Sequence, residues 1–340
     1  MTKEEKNEKH LENLKSRREN RIKSGDAPEE LIDLENEKKL HKILYNMIKI
    51  SNEKLNNYEL EITGNIPNIE DRPIILAPNH VRQQDIEIIM QAFPKHMFLL
   101  SGDHKNVHGS FPGFLLEKNG IIYFDMKDKK DRENVKYVIK DILYSNVNLL
   151  WYYEGSWNLS ENKIIYDGNY FIVQAAIDSN ALVLPVSFDL IEQVGTKKRK
   201  ACINFGDVID YRKLYGKRNL LHEEKIGALA ILKSKIADGI LDIWDKHSFC
   251  KRDDLAKQYE VKPRAEDYFI PDYKKESPLC EYWKNYKKKV LSEWKFSEKD
   301  IEEKHFVDKN IVDQKDAFEH LDNLKLNYNN AFLLSKKNHH

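Results

Sequence analysis

From Tyr58 to Phe205 the sequence alternates between short apolar runs and segments of helical periodicity, and this alternation limits the fold more than any other feature of the chain. Tyr58–Thr63, Ile74–Ala77, Met97–Leu100, Ile121–Phe124, Val147–Tyr152, Leu182–Phe188 and Ala201–Phe205 read as strands. Glu133–Leu143 and Tyr170–Ser179 read as helices between them. Strands interleaved with helices predict an α/β fold, a mostly parallel sheet with helices on both faces. Reactive side chains in such a sheet come from loops at strand ends. A helix over Glu223–Trp244 is expected to close this unit. The chain then divides into an N-terminal helical segment (1–57), the α/β domain (58–245) and a helical C-terminal extension (246–340).

The loop after the second run carries the first chemistry. In Asn79-His80-Val81-Arg82-Gln83-Gln84-Asp85, Pro78 is expected to end the strand, and Asp85 stands where a helix N-cap belongs, before Ile86, Ile88, Ile89 and Met90. Residues five apart on a helix face away from each other, so His80 belongs to the loop. A carboxylate at the helix start can bond one imidazole nitrogen, fix the tautomer and leave the other nitrogen to accept a proton from a hydroxyl. His80 and Asp85 are therefore a candidate catalytic dyad. A serine hydrolase is not expected, because Ser156 follows a glycine without the rest of a Gly-x-Ser-x-Gly elbow.

Three further stretches follow in order: Gly120-Ile121-Ile122-Tyr123-Phe124-Asp125, Tyr153-Glu154-Gly155-Ser156 and Val183-Leu184-Pro185-Val186. Together with the His80 loop they resemble the four blocks of the glycerolipid acyltransferases, whose best-known members are the 1-acylglycerol-3-phosphate acyltransferases. The resemblance spans roughly residues 58 to 210. It implies transfer of a fatty acyl group from an acyl-coenzyme A or acyl-carrier-protein thioester to a small-molecule or lipid acceptor, without a cofactor or metal. His80 is then the general base and Asp85 its orienting partner, while Asn79, Arg82, Asp125, Glu154, Gly155, Ser156 and Trp157 line the substrate site. Glu154 is expected to bond an acceptor hydroxyl, and Gly155 to let backbone approach the substrate. Pro185 reads as structural.

The departures from the family pattern bear on the acceptor. Met126 and Trp157 stand where phosphate-using members carry arginines, and Tyr153 replaces a proline. Neither Met nor Trp offers the bidentate fork a phosphate dianion favours. Lys118, Lys127 and Arg82 are the substitutes at hand. Trp151, Tyr152, Tyr153, Trp157 and Tyr166 suit an acceptor with a ring or an apolar face, although about half of such a set belongs in a core. Lysophosphatidate and a non-phosphate acceptor both stay open, as do two other readings: a thioesterase and a lipid-binding protein without turnover.

Composition narrows the partners. The 56 basic and 56 acidic side chains give a formal net charge of zero, which argues against nucleic acid as a partner. No apolar run reaches membrane-spanning length, and the charged N-terminus lacks a secretory signal. Cys202, Cys250 and Cys280 match no metal or redox spacing, so a cytoplasmic location is expected. Residues 1–25 read as a solvated helix or as disordered chain. Asp26 and Glu29 resemble a capping box that opens an amphipathic helix over about 27–50, striped by Leu40, Ile43, Leu44, Met47 and Ile48 with lysines alongside. That stripe packs on the domain or rests on an anionic membrane surface, peripheral on its inner face. The Lys127–Arg132 run, interleaved with Asp128 and Asp131, reads as a solvated helix start or as a contact for coenzyme A phosphates or acidic carrier protein. His104 and His108 have the spacing of helical metal ligands but no surrounding zinc motif, and read as a surface pair. The scattered aromatics beyond Lys246, Trp283 to Phe318, predict short packed helices.

Overall fold

The computed structural model describes residues 2–80, 85–102, 104–155, 165, 168–192 and 199–247. All seven expected strands form: β1 (Tyr58–Gly64), β2 (Ile74–Pro78), β3 (Met97–Ser101), β4 (Ile121–Tyr123), β5 (Asn148–Leu150), β6 (Leu182–Glu192) and β7 (Arg199–Phe205). They make one sheet in the order β1-β7-β6-β2-β5-β3-β4. Every neighbouring pair is parallel except β6 and β7, so β1 and β7 run against the other five. The C-terminal ends of β6, β2, β5, β3 and β4 consequently share one edge.

The helices are α1 (Lys3–Ser24), α2 (Leu34–Ile50), α3 (Asp85–Ala92), α4 (His104–Val107), α5 (Phe111–Asn119), α6 (Lys129–Tyr144), α7 (Phe171–Ser179), α8 (Tyr211–Tyr215) and α9 (His222–His247). Strand β2 shows why both faces are covered. Ile74 and Leu76 pack with Ile88, Ile89 and Met90 of α3, whereas Ile75 and Ala77 pack with Ile139 of α6, Val173 of α7 and Ile236 of α9. Side chains alternate across a strand, so a strand roofed on both faces is apolar throughout. Burial of each large aliphatic side chain contributes about 1.5–3 kcal/mol, so β2 is firmly seated beneath the site.

Two expectations about the N-terminus change. The helical reading of residues 1–25 holds, but the helix is not solvated all round: one face is docked, with Asn7 and Arg18 buried, and the rest is largely exposed. These residues form α1, opened by a reciprocal capping box between Thr2 and Glu5 and closed by Gly25 at φ 74°. Helix α1 packs on α4 and α6. The second change concerns the start of the amphipathic helix. Asp26 and Glu29 do not open it: Asp26 takes the Ser24 hydroxyl, Glu29–Leu31 is a 3₁₀ turn, and α2 begins at Leu34. Its stripe divides, with Leu44 buried and Leu40 and Ile48 half-buried, while Ile43, Met47 and Ile50 stay exposed. Helix α2 packs mainly on α5 and α3.

The other bounds move by a few residues, as fraying ends do. Pro78 belongs to β2, since its carbonyl still accepts from the Tyr153 amide. No helix of the described residues is long and apolar enough to cross a membrane. Cys202 is a buried free thiol. The expected C-terminal extension lies outside the described residues from 248 onward, with its Cys250, Cys280 and aromatic anchors.

Candidate active site

The end of β2 is held from both sides before any reactive group appears. Asn79 pairs with β6 as though the strand continued: its N–H donates to the Val186 carbonyl at 3.3 Å. Its side chain donates to the Phe188 carbonyl at 2.9 Å and accepts from the Phe188 amide at 2.7 Å. Asn79 was expected at the substrate, but both ends of its buried carboxamide are committed to β6. On the other side, the His80 amide donates to Oε2 of Glu154 at 2.7 Å. Glu154 follows β5, so the neighbours of β2 on both flanks fix where His80 starts. A backbone held by such bonds limits the positions its imidazole can take.

The imidazole meets its partner as the spacing predicted. His80 Nδ1 lies 2.8 Å from Oδ2 of Asp85 at the first turn of α3, and Asp85 is fully buried. The carboxylate's other oxygen accepts from the buried Tyr152 hydroxyl at 2.9 Å. The Tyr152 ring stacks on the imidazole with centroids 3.9 Å apart and 26° between planes. A hydrogen bond from Nδ1 to a carboxylate sets the tautomer that leaves Nε2 as the acceptor nitrogen. Burial, followed by the charge of Asp85 and its hydrogen bond, pushes the Tyr152 hydroxyl well above its ordinary value, so it acts here as a donor. His80 itself is half-buried, with 15% of its side chain exposed, enough to reach a substrate.

The third block turns immediately after β5. Tyr153 donates its amide to Pro78, and Gly155 closes a turn onto the Tyr152 carbonyl. Gly155 was expected to permit close approach of backbone. Its φ is +67° and an added Cβ would meet no protein atom within 4 Å, so the left-handed turn is a second reason for glycine here. The described aromatics of this region are chiefly core: Tyr152 and Tyr153 are buried, and Trp151 packs on Phe171. Gly168 makes room for the Tyr153 ring, because a Cβ there would lie 2.5 Å from it. Arg82, Ser156, Trp157 and Tyr166 lie outside the described residues.

The second block sits farther along the edge. Asp125 accepts from the Lys127 amide at 2.9 Å and from Lys15 of α1 at 3.2 Å. Burial works against its charge, but these donors together hold its carboxyl below the usual range. Met126 is half exposed and lies over Gly102 at the end of β3. Lys118 sits over the Phe114 ring, and Lys127 shares the Asp125 turn. Asp131 of the Lys-rich run is not solvated. One oxygen takes Arg18 of α1 at 2.5 Å and the other the Asp125 amide at 2.8 Å.

Sequence reasoning passed over several of these groups. Tyr152 looked like the last residue of an aromatic strand, and its partner Asp85 is distant in sequence. Glu87 of α3 drew no reading from the sequence, and burial and then the charge of Asp85 push its carboxyl up to about 7. Arg18 looked like one of many N-terminal charges, although only 4% of its side chain is exposed. His104 is buried as well, so the expected surface pair with His108 is not one.

Residues 54–189 match the profile of the family described as Acyltransferase. That span holds the His80–Asp85 dyad, Asp125 and Glu154. Among solved structures, the crystal structure of the 1-acyl-sn-glycerophosphate (LPA) acyltransferase PlsC from Thermotoga maritima is similar at 16% sequence identity with a TM-score of 0.44. It covers 63% of this chain and 81% of that chain. No curated protein sequence matches. The family match spans the dyad and the blocks beside it, so this part of the chain is similar to the Acyltransferase family.

Proposed function

We propose that this acyltransferase moves a fatty acyl group from a coenzyme A or acyl-carrier-protein thioester to an acceptor hydroxyl or amine, with His80 as general base. The observation that carries this reading is the Nδ1 bond to buried Asp85, which leaves Nε2 to receive a proton. For a hydroxyl acceptor, the oxygen attacks the thioester carbonyl while its proton passes to Nε2. Asp85 stabilises the resulting imidazolium. Attack forms the new C–O bond; collapse of the tetrahedral intermediate restores the carbonyl and breaks the C–S bond, and the imidazolium gives the proton to the departing thiolate. No covalent enzyme intermediate is required. Glu154 positions the His80 backbone, and Tyr152 positions Asp85.

Met126 favours an acceptor without a phosphate, since it occupies the second-block position where an arginine fork would sit. Lysophosphatidate is the competing acceptor. The assay supplies wild type and His80→Ala with a panel of acyl-coenzyme A and acyl-carrier-protein donors. Lysophosphatidate, neutral lysolipids and sugars are the acceptors, and thiol release is followed together with the mass of acylated products. Acceptor-dependent release that disappears in the variant supports transfer. Release without any acceptor identifies a thioesterase, and no release with any donor leaves a lipid-binding protein.

The exposed face of α2 supports a peripheral, inner-face location at an anionic membrane within the cytoplasm. Ile43, Met47 and Ile50 project from it beside Lys39, Lys42 and Lys49, and the neighbouring α5 exposes Phe111 and Phe114. Apolar side chains among lysines match a surface of acyl chains under anionic headgroups. Sedimentation with anionic vesicles, lost in Ile43→Asp/Met47→Asp and weak with zwitterionic vesicles, is the expected result. Equal sedimentation of the two proteins would sink this placement.

A further inference from the structure

Along the same edge of the sheet, past β5, three histidines from two distant parts of the chain converge. His10 comes from α1, His104 opens α4, and His108 follows it. One ligand nitrogen from each lies within 4.8 Å of the others. The rings of His10 and His108 stack with centroids 3.8 Å apart, and His10 Nδ1 lies 2.8 Å from His104 Nε2. We propose that His10, His104 and His108 bind a divalent transition-metal ion of the zinc type, and that the ion staples α1 to the end of β3.

Four observations carry this. The donor set is chemically right: neutral imidazole suits zinc and its neighbours, and three imidazoles are a known complement for a four-coordinate ion with water in the last position. His108 is already oriented in the manner of a metal ligand, with Nδ1 2.7 Å from Glu117 Oε1, so that Nε2 is the nitrogen left for an ion. Glu117 is steadied in turn by the Tyr123 hydroxyl at 3.0 Å. The frame is also built without the ion. Asn7 of α1 donates to the carbonyls of Lys105 and His108, which fixes α1 against the α4 turn at the level of the cluster. Finally, His104 is buried, which shelters one side of the site from water.

The geometry needs only side-chain movement. Zinc–nitrogen bonds of about 2.0–2.1 Å in a tetrahedral arrangement place ligand nitrogens roughly 3.4 Å apart. The separations here, from 2.8 to at most 4.8 Å, bracket that value. Rotation of the half-buried His10 ring away from its stack on His108 closes the set. In sheet order β3 is two places from β2, about 10 Å along the edge, so the ion is a staple and takes no part at His80. Among the described residues a second group, Glu61, Cys202 and His247, is also close together. Its carboxylate is already neutralised by Lys200, Lys246 and His247, so it makes a poorer cation site.

The test strips the full-length protein with a chelator and titrates it with Zn²⁺ against a chromophoric competitor. A parallel titration with Co²⁺ is read by visible absorption. Wild type is expected to take up one equivalent and give the intense bands of tetrahedral or five-coordinate cobalt. His10→Gln and His108→Gln should each weaken binding at least tenfold and lose the bands, whereas His222→Gln should match wild type. His339 and His340 are present in every variant, so the differences report the cluster. Zn²⁺ should also raise the unfolding midpoint of wild type and leave that of His10→Gln unmoved. Octahedral-type weak bands in wild type, or uptake unchanged in both cluster variants, overturns the proposal. The wild-type cobalt spectrum decides the matter even if a variant fails to fold.

Discussion

The ends of β2 and β5 and the ends of β3 and β4 lie on one edge of the sheet, and each must bury charged or polar groups. At β2 and β5 the partners are supplied by the loops that leave the strands: Asp85 for His80, Tyr152 for Asp85, Glu154 for the His80 amide. At β3 and β4 the partners come from α1, about a hundred residues earlier. Lys15 reaches Asp125, Arg18 reaches Asp131 and the Tyr123 carbonyl, and His10 reaches His104. The first region is self-contained. The second is complete only when the N-terminal helix docks, so its failure is a failure of assembly and stability, while under the proposed function failure of the first is a failure of chemistry.

The sharpest way to separate the two is to remove one group from each. His80→Ala should lower turnover by about 10²–10⁴ and cost less stability than Arg18→Ala, because it removes the proposed proton acceptor while buried Asp85 keeps the Tyr152 hydroxyl and the strand clamps stay in place. Steady-state kinetics and thermal unfolding measure both quantities. A variant that keeps more than a tenth of its turnover would remove His80 from the base role. Arg18→Ala should behave in the opposite sense. It strands Asp131, which is 1% exposed, and the loss of one partner from such a pair costs about 3–5 kcal/mol. Urea unfolding should show that loss, with KM and kcat nearly unchanged in the fraction that stays folded.

That contrast also explains what could be read from the sequence. The seven strands and the His80–Asp85 pairing were legible because each rests on local signals: an apolar run bounded by turn residues, or two groups separated by a single loop. The docking of α1 was not legible. Its charges, such as Lys15 and Arg18, are indistinguishable in sequence from those of a solvated helix, and only the buried Asp131 and Tyr123 carbonyl show where they go. Asn79 was misplaced for a related reason. An amide at a strand end serves substrate or neighbouring backbone equally well, and the free backbone of Phe188 on β6 decided the matter. The split stripe of α2 was legible as a stripe, but not which half of it faces the domain.

Glu87 tests whether the dyad carries an electrostatic cost of its own. Its carboxyl is raised from 4.5 to about 7, by burial first and then by Asp85. A raised folded-state value means that the protonated form favours the fold. That contribution is whole below about 4.5 and is lost as the pH rises through about 7. Glu87→Gln should therefore be more stable than wild type above pH 7, by about 2–3 kcal/mol, with the difference vanishing near pH 4. Chemical unfolding from pH 4 to 8 measures it. A gap independent of pH would mean that the gain comes from packing, and that Asp85 is not felt at Glu87.

The smallest effect belongs to Gly155, and it discriminates between two reasons for the same residue. If glycine is needed there for its left-handed backbone alone, Gly155→Ala costs about 1–2 kcal/mol of stability, because an alanine Cβ at φ +67° is strained while nothing within 4 Å obstructs it. Activity should then fall by no more than a few-fold. If the backbone at Gly155 instead lies against the acceptor, the same methyl group obstructs the substrate, and KM for the acceptor rises well beyond what the stability loss explains. Gly155→Asn completes the comparison, since Asn tolerates the left-handed region better than Ala but carries a larger side chain. The turn reading requires Asn to be the milder substitution in both stability and KM. The contact reading requires Asn to be milder in stability and more damaging in KM, so the two variants measured together assign the residue.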